Sequence, residues 1–457
     1  MRNIVDSVLK RKRNQEIQIT PELEELLRKC LRKLRENQEI YKKYEDYYNG
    51  NHNIIRNYAM NDSRSNMKVV VNFFKKFIHD EIAYALGNPV TYISSDGNNN
   101  LIEVIDYSFS HWSKVHDQKL MLEATKFGEA YEIQYTTRDN EFKCAVLTPM
   151  NCFVIEEGDV EKDVILALHI YKNDLFSDNE KVDVYISNSI LHFDVDGSDN
   201  LTYVDQRTHI FGTPPIEVTS ANHERKSMLD DIQSENDAYN NTLSDLVNEV
   251  SDFRQAFLKI TGAKVTEEEA QKFKKTGILQ VPTQATVDYL IKKIDDKFVQ
   301  NLLKELEEKM YKLASHVDTN EKLQSNLSSA ALRSRLISLE NKCSLMQAML
   351  ETAIKKRLKN FFKFIKIKDG EEYDHRKIKL KLTMNIPSDI TALADSLSKL
   401  SEVCSWETIL AQIPFVENPA VEMQKRRQEQ EYAREQEVEH QRKLKSLENN
   451  NIQDPLK

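Results

Sequence analysis

The sequence predicts an α+β, helix-rich fold, and three observations carry that expectation. Gly and Pro number only ten each in 457 residues while 30% of the chain is charged, a balance with little loop filler. Two long stretches, 227–257 and 330–365, repeat apolar residues at helical spacing, the mark of one buried helix face. Between 128 and 194 the spacing changes to alternation, broken by turn residues, which reads as short strands. A chain of this length can hold about two to four compact units and a sizeable core.

The first helix is expected over 19–48. Thr20 is placed to cap it, Pro21 to hold the first helical position, and Glu22 and Glu24 to sit in the first turn. Leu23, Leu26, Leu27, Cys30, Leu31 and Leu34 share one face, and Asn49-Gly50 ends the helix after Tyr41, Tyr44, Tyr47 and Tyr48. Val69 to Asn72 is extended and feeds a helix that runs to Leu86 and is closed by Gly87. Leu101 to Phe127 reads as helical. Strands follow at 128–135, 143–147, 152–155, 164–171, 181–186 and 189–194, with Asp196-Gly197 as a hairpin turn.

A long helix then runs from Ser227 to Phe257 along Met228, Ile232, Tyr239, Leu243, Leu246, Val250 and Phe253, spanning roughly 45 Å. The pattern breaks over 258–296 into a strand at 257–261, a charged helix at 267–275 and a strand pair at 278–281 and 287–291. A second helix runs from Phe298 to Val317. The polar stretch 318–329 leads into a helix from Ala330 to Ile365, then a strand from Arg376 to Met384. From Glu422 to Glu448 seven acids and seven bases are mixed in sign, which reads as a solvated helix.

Several function classes are disfavoured. There is no P-loop, no G-x-G-x-x-G, no G-x-S-x-G and no H-E-x-x-H. No uncharged run approaches the roughly 18 residues of a membrane span, and the start lacks an apolar segment with a cleavage site. The expectation is a soluble, cytosolic product with no membrane partner and no cofactor. Cys30, Cys144, Cys152, Cys343 and Cys404 are scattered and odd in number, so reduced thiols are expected rather than a disulfide frame or zinc site. Cys144 and Cys152 could meet and bind a metal, but buried thiols are the preferred reading. The acids at Asp194–Asp199 are read as a hairpin turn rather than a calcium loop. His79, Asp80 and Glu81 are read as a solvated helix face rather than an acid–base cluster. Lys10 to Arg13 read as a mobile terminus. Lys264, Lys272, Lys274 and Lys275 could contact a partner or DNA, or form a plain charged helix face. A net charge of −9 argues against tight static DNA binding, but it is compatible with a passage along which DNA slides.

Several motifs, in this order, resemble those of tailed-bacteriophage portal proteins of the SPP1 type. They are the Tyr47-Tyr48-Asn49-Gly50 ending, the element Val71-Asn72 to Tyr84, Gly87 and Pro89, and the step Phe211 to Ile216 followed by Asn222. To these is added the C-terminal arrangement from Ile386 to Glu431: a helix after Pro387, Ser405-Trp406-Glu407-Thr408, a turn at Pro414 to Pro419 and a long charged helix. Ser329 stands where that family usually carries Gly, before Ala330-Ala331-Leu332.

The resemblance implies a portal fold assembled as a ring. Its parts would be a flexible N-terminus (1–18), wing (19–226), stem helix (227–257), clip (258–296), second stem helix (297–317), tunnel loop (318–329), long helix with a wing return strand (330–385), crown (386–448) and disordered tail (449–457). It also implies a homo-oligomer, a dodecamer by family, at one capsid vertex, through which double-stranded DNA is packaged and ejected. Implied partners are the terminase large subunit on the clip, scaffold and major capsid protein at the wing, and head–tail adaptor proteins. Lys322, Gln324, Ser325, Asn326 and Ser328 would face DNA in the tunnel loop. Lys264, Lys272, Lys274 and Lys275 would form the clip's partner surface. The competing readings are a phage DNA-processing enzyme with an unrecognised site and a helical scaffold protein.

Overall fold

The structure, a computed structural model, describes residues 17, 19–60, 65–158, 160, 162–174, 176, 179–253, 257–276, 281–290, 296–318, 329–385, 397–401, 403–410, 413, 416 and 419–451. Helix α1 (Pro21–Tyr48) starts as its sequence dictates: Thr20 is extended and its Oγ1 accepts from Leu23 N at 3.3 Å. A short α2 (Asn53–Asn57) precedes α3 (Phe73–Leu86), which is capped by Asn72 accepting from Lys75 N at 2.9 Å. Gly87 does close α3, but not through left-handed backbone. Its φ is −64°, and a Cβ there would meet Asn385 Cβ at 2.8 Å. The glycine serves close approach.

Strand β1 (Thr91–Ser94) follows. The helical stretch expected over 101–127 is divided into α4 (Asn99–Phe109) and α5 (Ser113–Phe127). Trp112 interrupts them, donating from its Nε1 to Ser108 O at 2.8 Å and packing its ring on Phe109. Gly128 ends α5 with φ +92°, and a Cβ there would meet Arg225 O at 2.4 Å. Gly128→Ala therefore combines an unfavourable backbone region with an overlap against main chain. It is expected to lose roughly 3 kcal/mol, read as a lower urea midpoint at unchanged slope.

Strands β2 (Glu129–Thr136), β3 (Phe142–Leu147), β4 (Cys152–Glu156), β5 (Val164–Tyr171), β6 (Glu180–Tyr185), β7 (Ser189–Val195), β8 (Leu201–Thr208) and β9 (Ile216–Ser220) form two antiparallel sheets. Their orders are β3-β2-β9 and β4-β5-β6-β7-β8. The β7–β8 turn is built by Asp196, whose Oδ1 accepts from Ser198 N and Asn200 N. Alternation along β5 sends Leu166, Leu168 and Ile170 to one face and Ala167 to the other. The first set packs with Leu23, Leu27, Leu31 and Leu34 of α1. Ala167 packs with Ile133, Leu147 and Ile216 of the smaller sheet. β8 escapes sequence reading because it is an edge strand in which only Leu201 is buried.

The chain continues through α6 (Leu229–Phe253), β10 (Phe257–Thr261), α7 (Glu267–Thr276), β11 (Thr286–Leu290) and α8 (Asp296–Leu313). α6 ends earlier than expected and spans roughly 37 Å, because Phe257 already belongs to β10. β11 pairs with β10, Phe257 opposite Leu290; of the strand expected at 278–281, residues 278–280 lie outside the described residues. α6 and α8 pack together around this insertion. Then come α9 (Ser329–Lys368), a 3₁₀ turn (His375–Lys377), β12 (Ile378–Lys381), α10 (Trp406–Leu410) and α11 (Pro419–Asn451). The strand expected over 376–384 is thus shorter, and it pairs antiparallel with β1, Thr91 opposite Lys381. α9 carries Cys343, Met346, Leu350, Leu358 and Phe361 into the largest core, against α3, α4 and α5. Among the described residues no helix is long and apolar enough to cross a membrane.

Candidate functional site

Three polar networks fix how the long helices sit, and each joins segments far apart in sequence. The first brackets residues 319–328. Glu81 of α3 is buried and faces His316, just after α8, and Lys342 of α9. Lys342 Nζ lies 2.9 Å from Glu81 Oε2 and donates to Ala314 O at 3.1 Å. The Glu81 contact is one of charge without good hydrogen-bond alignment. The His316 ring stacks on Phe77 at 4.7 Å. Burial opposes charge on Glu81, yet Lys342 and His316 outweigh it and hold the carboxyl below its usual range. Burial likewise keeps His316 below the ordinary imidazole range, against the pull of Glu81. Glu81 corrects the reading of 79–81 as a solvated face. His79 is exposed and pairs with Tyr48 Oη at 2.8 Å, while Glu81 turns into the core.

The second network centres on Arg357 of α9, which is fully buried. Its Nε donates to both Glu132 oxygens at 3.1 Å and its Nη2 to Asp117 Oδ1 at 2.6 Å. His116 Nε2 meets Glu132 Oε2 at 2.8 Å, and Asn360 donates to Gln134 at 2.6 Å. Burial pushes both acids up. Arg357 and His116 reverse this at Glu132, which lies well below its usual range, but not at Asp117, which stays raised. The difference follows from partners: Asp117 Oδ2 has none. His116, Glu132 and Cys144 lie close enough together to ligate an ion. Both Glu132 oxygens are already engaged by a guanidinium, however, so the trio reads as part of this ion-pair network. Cys144 and Cys152 fall in different core clusters.

The third network is a ladder along α6. Asn236, Asn240, Ser244 and Asn248, each four residues apart, are buried and bond the main chain of residues 67–71. Val71 N donates to Asn240 Oδ1 at 2.8 Å, Val69 N to Ser244 Oγ at 2.9 Å and Met67 N to Asn248 Oδ1 at 2.7 Å. Asn236 and Asn248 donate back to Val71 O and Met67 O, both at 2.9 Å. Four helical residues rise about 6 Å and two extended residues about 6.6 Å, so the two repeats stay in step. The apolar stripe assigned to the core of α6 is only partly buried, and Val250 is exposed. Asn240→Leu leaves the half-buried Val71 N–H without its acceptor. It is expected to destabilise by about 1–3 kcal/mol and to speed hydrogen exchange at the Val71 amide specifically.

Of the residues the sequence singled out, Lys322, Gln324, Ser325, Asn326 and Ser328 lie outside the described residues, as do Lys10 to Arg13. Lys264 precedes α7, and Lys272 and Lys275 lie on it; all three are exposed. Lys274 is on the same helix, its side chain undescribed. The acids Glu267, Glu268 and Glu269 occupy that helix's first turn. Arg357 and the α6 ladder were not foreseen.

The family described as "Phage portal protein, SPP1 Gp6-like" matches residues 27–437. Among curated proteins, the portal protein of Bacillus phage SPP1 is 22% identical over 411 residues, covering 84% of this chain and 80% of that protein. Among solved structures, a chain from the neck of an empty GTA particle aligns at 9% identity with a TM-score of 0.45, covering 73% of this chain and 87% of that one. With the family match spanning residues 27–437, nearly the whole chain, the protein belongs to the SPP1-type family of phage portal proteins.

Proposed function

We propose that this chain forms a ring, a dodecamer, whose central channel carries double-stranded DNA into and out of the phage head. The observation that carries this is the family match over residues 27–437. It is supported by a paired-helix stem, α6 and α8, interrupted by a compact insertion. The stem leaves Val250, Phe298 and Leu313 exposed at 58%, 65% and 49%, apolar surface of the kind a neighbouring subunit covers. In this reading residues 19–226 are the wing, α6 and α8 the stem, 258–296 the clip and 386–448 the crown. Portal proteins are structural, and the sequence carries no P-loop. The energy for packaging therefore comes from a terminase large subunit docked on the clip at Lys264, Lys272, Lys274 and Lys275. Scaffold and major capsid protein meet the wing, and adaptor proteins meet the clip once the head is full. Lys322, Gln324, Ser325, Asn326 and Ser328 face the DNA. Assembly takes place in the host cytoplasm, and the mature location is the capsid vertex.

Negative-stain electron microscopy with mass photometry tests the proposal. Rings with a central hole and a mass near that of a dodecamer are expected. A discrete dimer with no ring at any concentration overturns it.

A further inference from the structure

A groove of about 630 Å³ runs between α9 and β12. Lys355 and Lys359 line it from the helix, one turn or about 6 Å apart, and His375, Arg376 and Lys379 line it from the 3₁₀ turn and strand. The acids nearby are accounted for. Glu351 pairs with Lys355 at 2.6 Å, and Asp374 with Arg376 at 3.0 Å and with His375 at 3.7 Å. Lys356 is committed to Glu217 at 2.8 Å. Among the described residues no carboxylate pairs with Lys359 or Lys379, and both side chains are exposed. In a chain of net charge −9 this concentration of cations is a local feature, not an average one. His375 registers it: burial, joined by Lys359 and Arg376, keeps its imidazole below the ordinary range despite Asp374.

The lining also says what kind of partner fits. Ile378 is buried and Leu380 half-buried in the core cluster, so the groove offers no aromatic or large apolar anchor. Protein interfaces draw their affinity from such anchors. Repeating phosphates need only positive charges within reach.

We propose that this groove binds the phosphate backbone of double-stranded DNA without regard to sequence. None of the groove's lining residues belongs to the tunnel-loop or clip positions, and the contact goes beyond the channel reading because it needs only the α9–β12 surface.

The test measures full-length chain against a short, random-sequence, fluorescent DNA duplex over a salt series. Three variants are compared with wild type: Lys359→Gln/Lys379→Gln, Lys359→Arg/Lys379→Arg and, as a control on exposed α1 positions, Lys29→Gln/Lys33→Gln. Removing two phosphate contacts is expected to weaken binding at least about tenfold and to lower the slope of log K against log salt by about 1.8. The Arg pair and the α1 control should match wild type. Unchanged affinity and slope in the Gln pair overturn the proposal, as does a wild type that fails to bind duplex at low salt. An Arg pair as weak as the Gln pair also overturns it, by assigning the loss to the fold. Tighter binding of poly-glutamate than of duplex, lost in the Gln pair, overturns it in favour of an acidic protein. Ring formation by all variants separates this outcome from a failure of the portal reading.

Discussion

Arg357→Met destabilises the folded chain by about 3–5 kcal/mol, the range for removing one member of a buried ion pair. Methionine fills much of the same volume, so the loss is chiefly electrostatic. Glu132 and Asp117, both buried, are left without their cation. The two acids then behave differently. Glu132 holds its charge through Arg357 and His116, whereas Asp117, raised by burial with one oxygen unpartnered, sits closer to neutrality. Asp117→Asn is therefore expected to cost far less than Glu132→Gln, and Glu132→Gln in the Arg357→Met background should recover part of the loss. Urea unfolding of the five proteins checks this. Equal effects for the two acid substitutions would show that Arg357 is shared evenly, contrary to the geometry. The sign with pH follows from the same shift. Stability contributed by a carboxylate held low, as Glu132 is, is present above its unfolded value of about 4.3 and is lost as pH falls through its folded value.

Much of this was legible locally. Thr20, Pro21 and the leucines of α1 specify a cap, a start and a buried face without reference to anything distant, and all three appear. The strands β2 to β7 announce themselves by runs rich in β-branched and aromatic residues bounded by turn residues, and β7 also alternates, with Ser189, Leu191, Phe193 and Val195 buried. Arg357 was not legible. It sits among Lys355, Lys356 and Lys359, and nothing local says which of the four turns inward. That choice is made by Asp117 and Glu132, separated from it by 240 and 225 residues. The α6 ladder misled for another reason. Its apolar residues and its Asn-Ser row both repeat at helical spacing, and hydrophobicity draws attention to the apolar row alone, of which Met228 and Ile232 are buried and Val250 is exposed. A signal was present in the recurrence of Asn236, Asn240, Ser244 and Asn248 at a constant step of four. Short side chains of that kind are poor helix formers and are retained mid-helix when they have backbone to satisfy. The order of the motifs, rather than any one of them, pointed to the family.

Lys342→Met is the second substitution with a large expected effect, about 3–5 kcal/mol, and its reciprocal is informative. Removing Lys342 leaves Glu81, only 1% exposed, facing a His316 that burial holds toward its neutral form. Glu81→Leu instead leaves Lys342, whose side chain is 29% exposed and can swing its ammonium to water along a flexible stem. The carboxylate is the trapped partner, so Lys342→Met should cost clearly more than Glu81→Leu. Glu81→Leu/Lys342→Met should be milder than Lys342→Met alone. Acid weakens the wild-type contact twice. His316, depressed from an ordinary value of about 6.5, contributes stability above that pH, and this fades as pH falls toward its folded value. Glu81 adds a second loss below about 4.3. The double variant keeps His316 and lacks Glu81, so thermal stability should fall more steeply for wild type than for the double variant below about pH 4.3. Parallel curves there would show that Glu81 does not titrate with folding, and that α3 and α9 are held together by their apolar contacts alone.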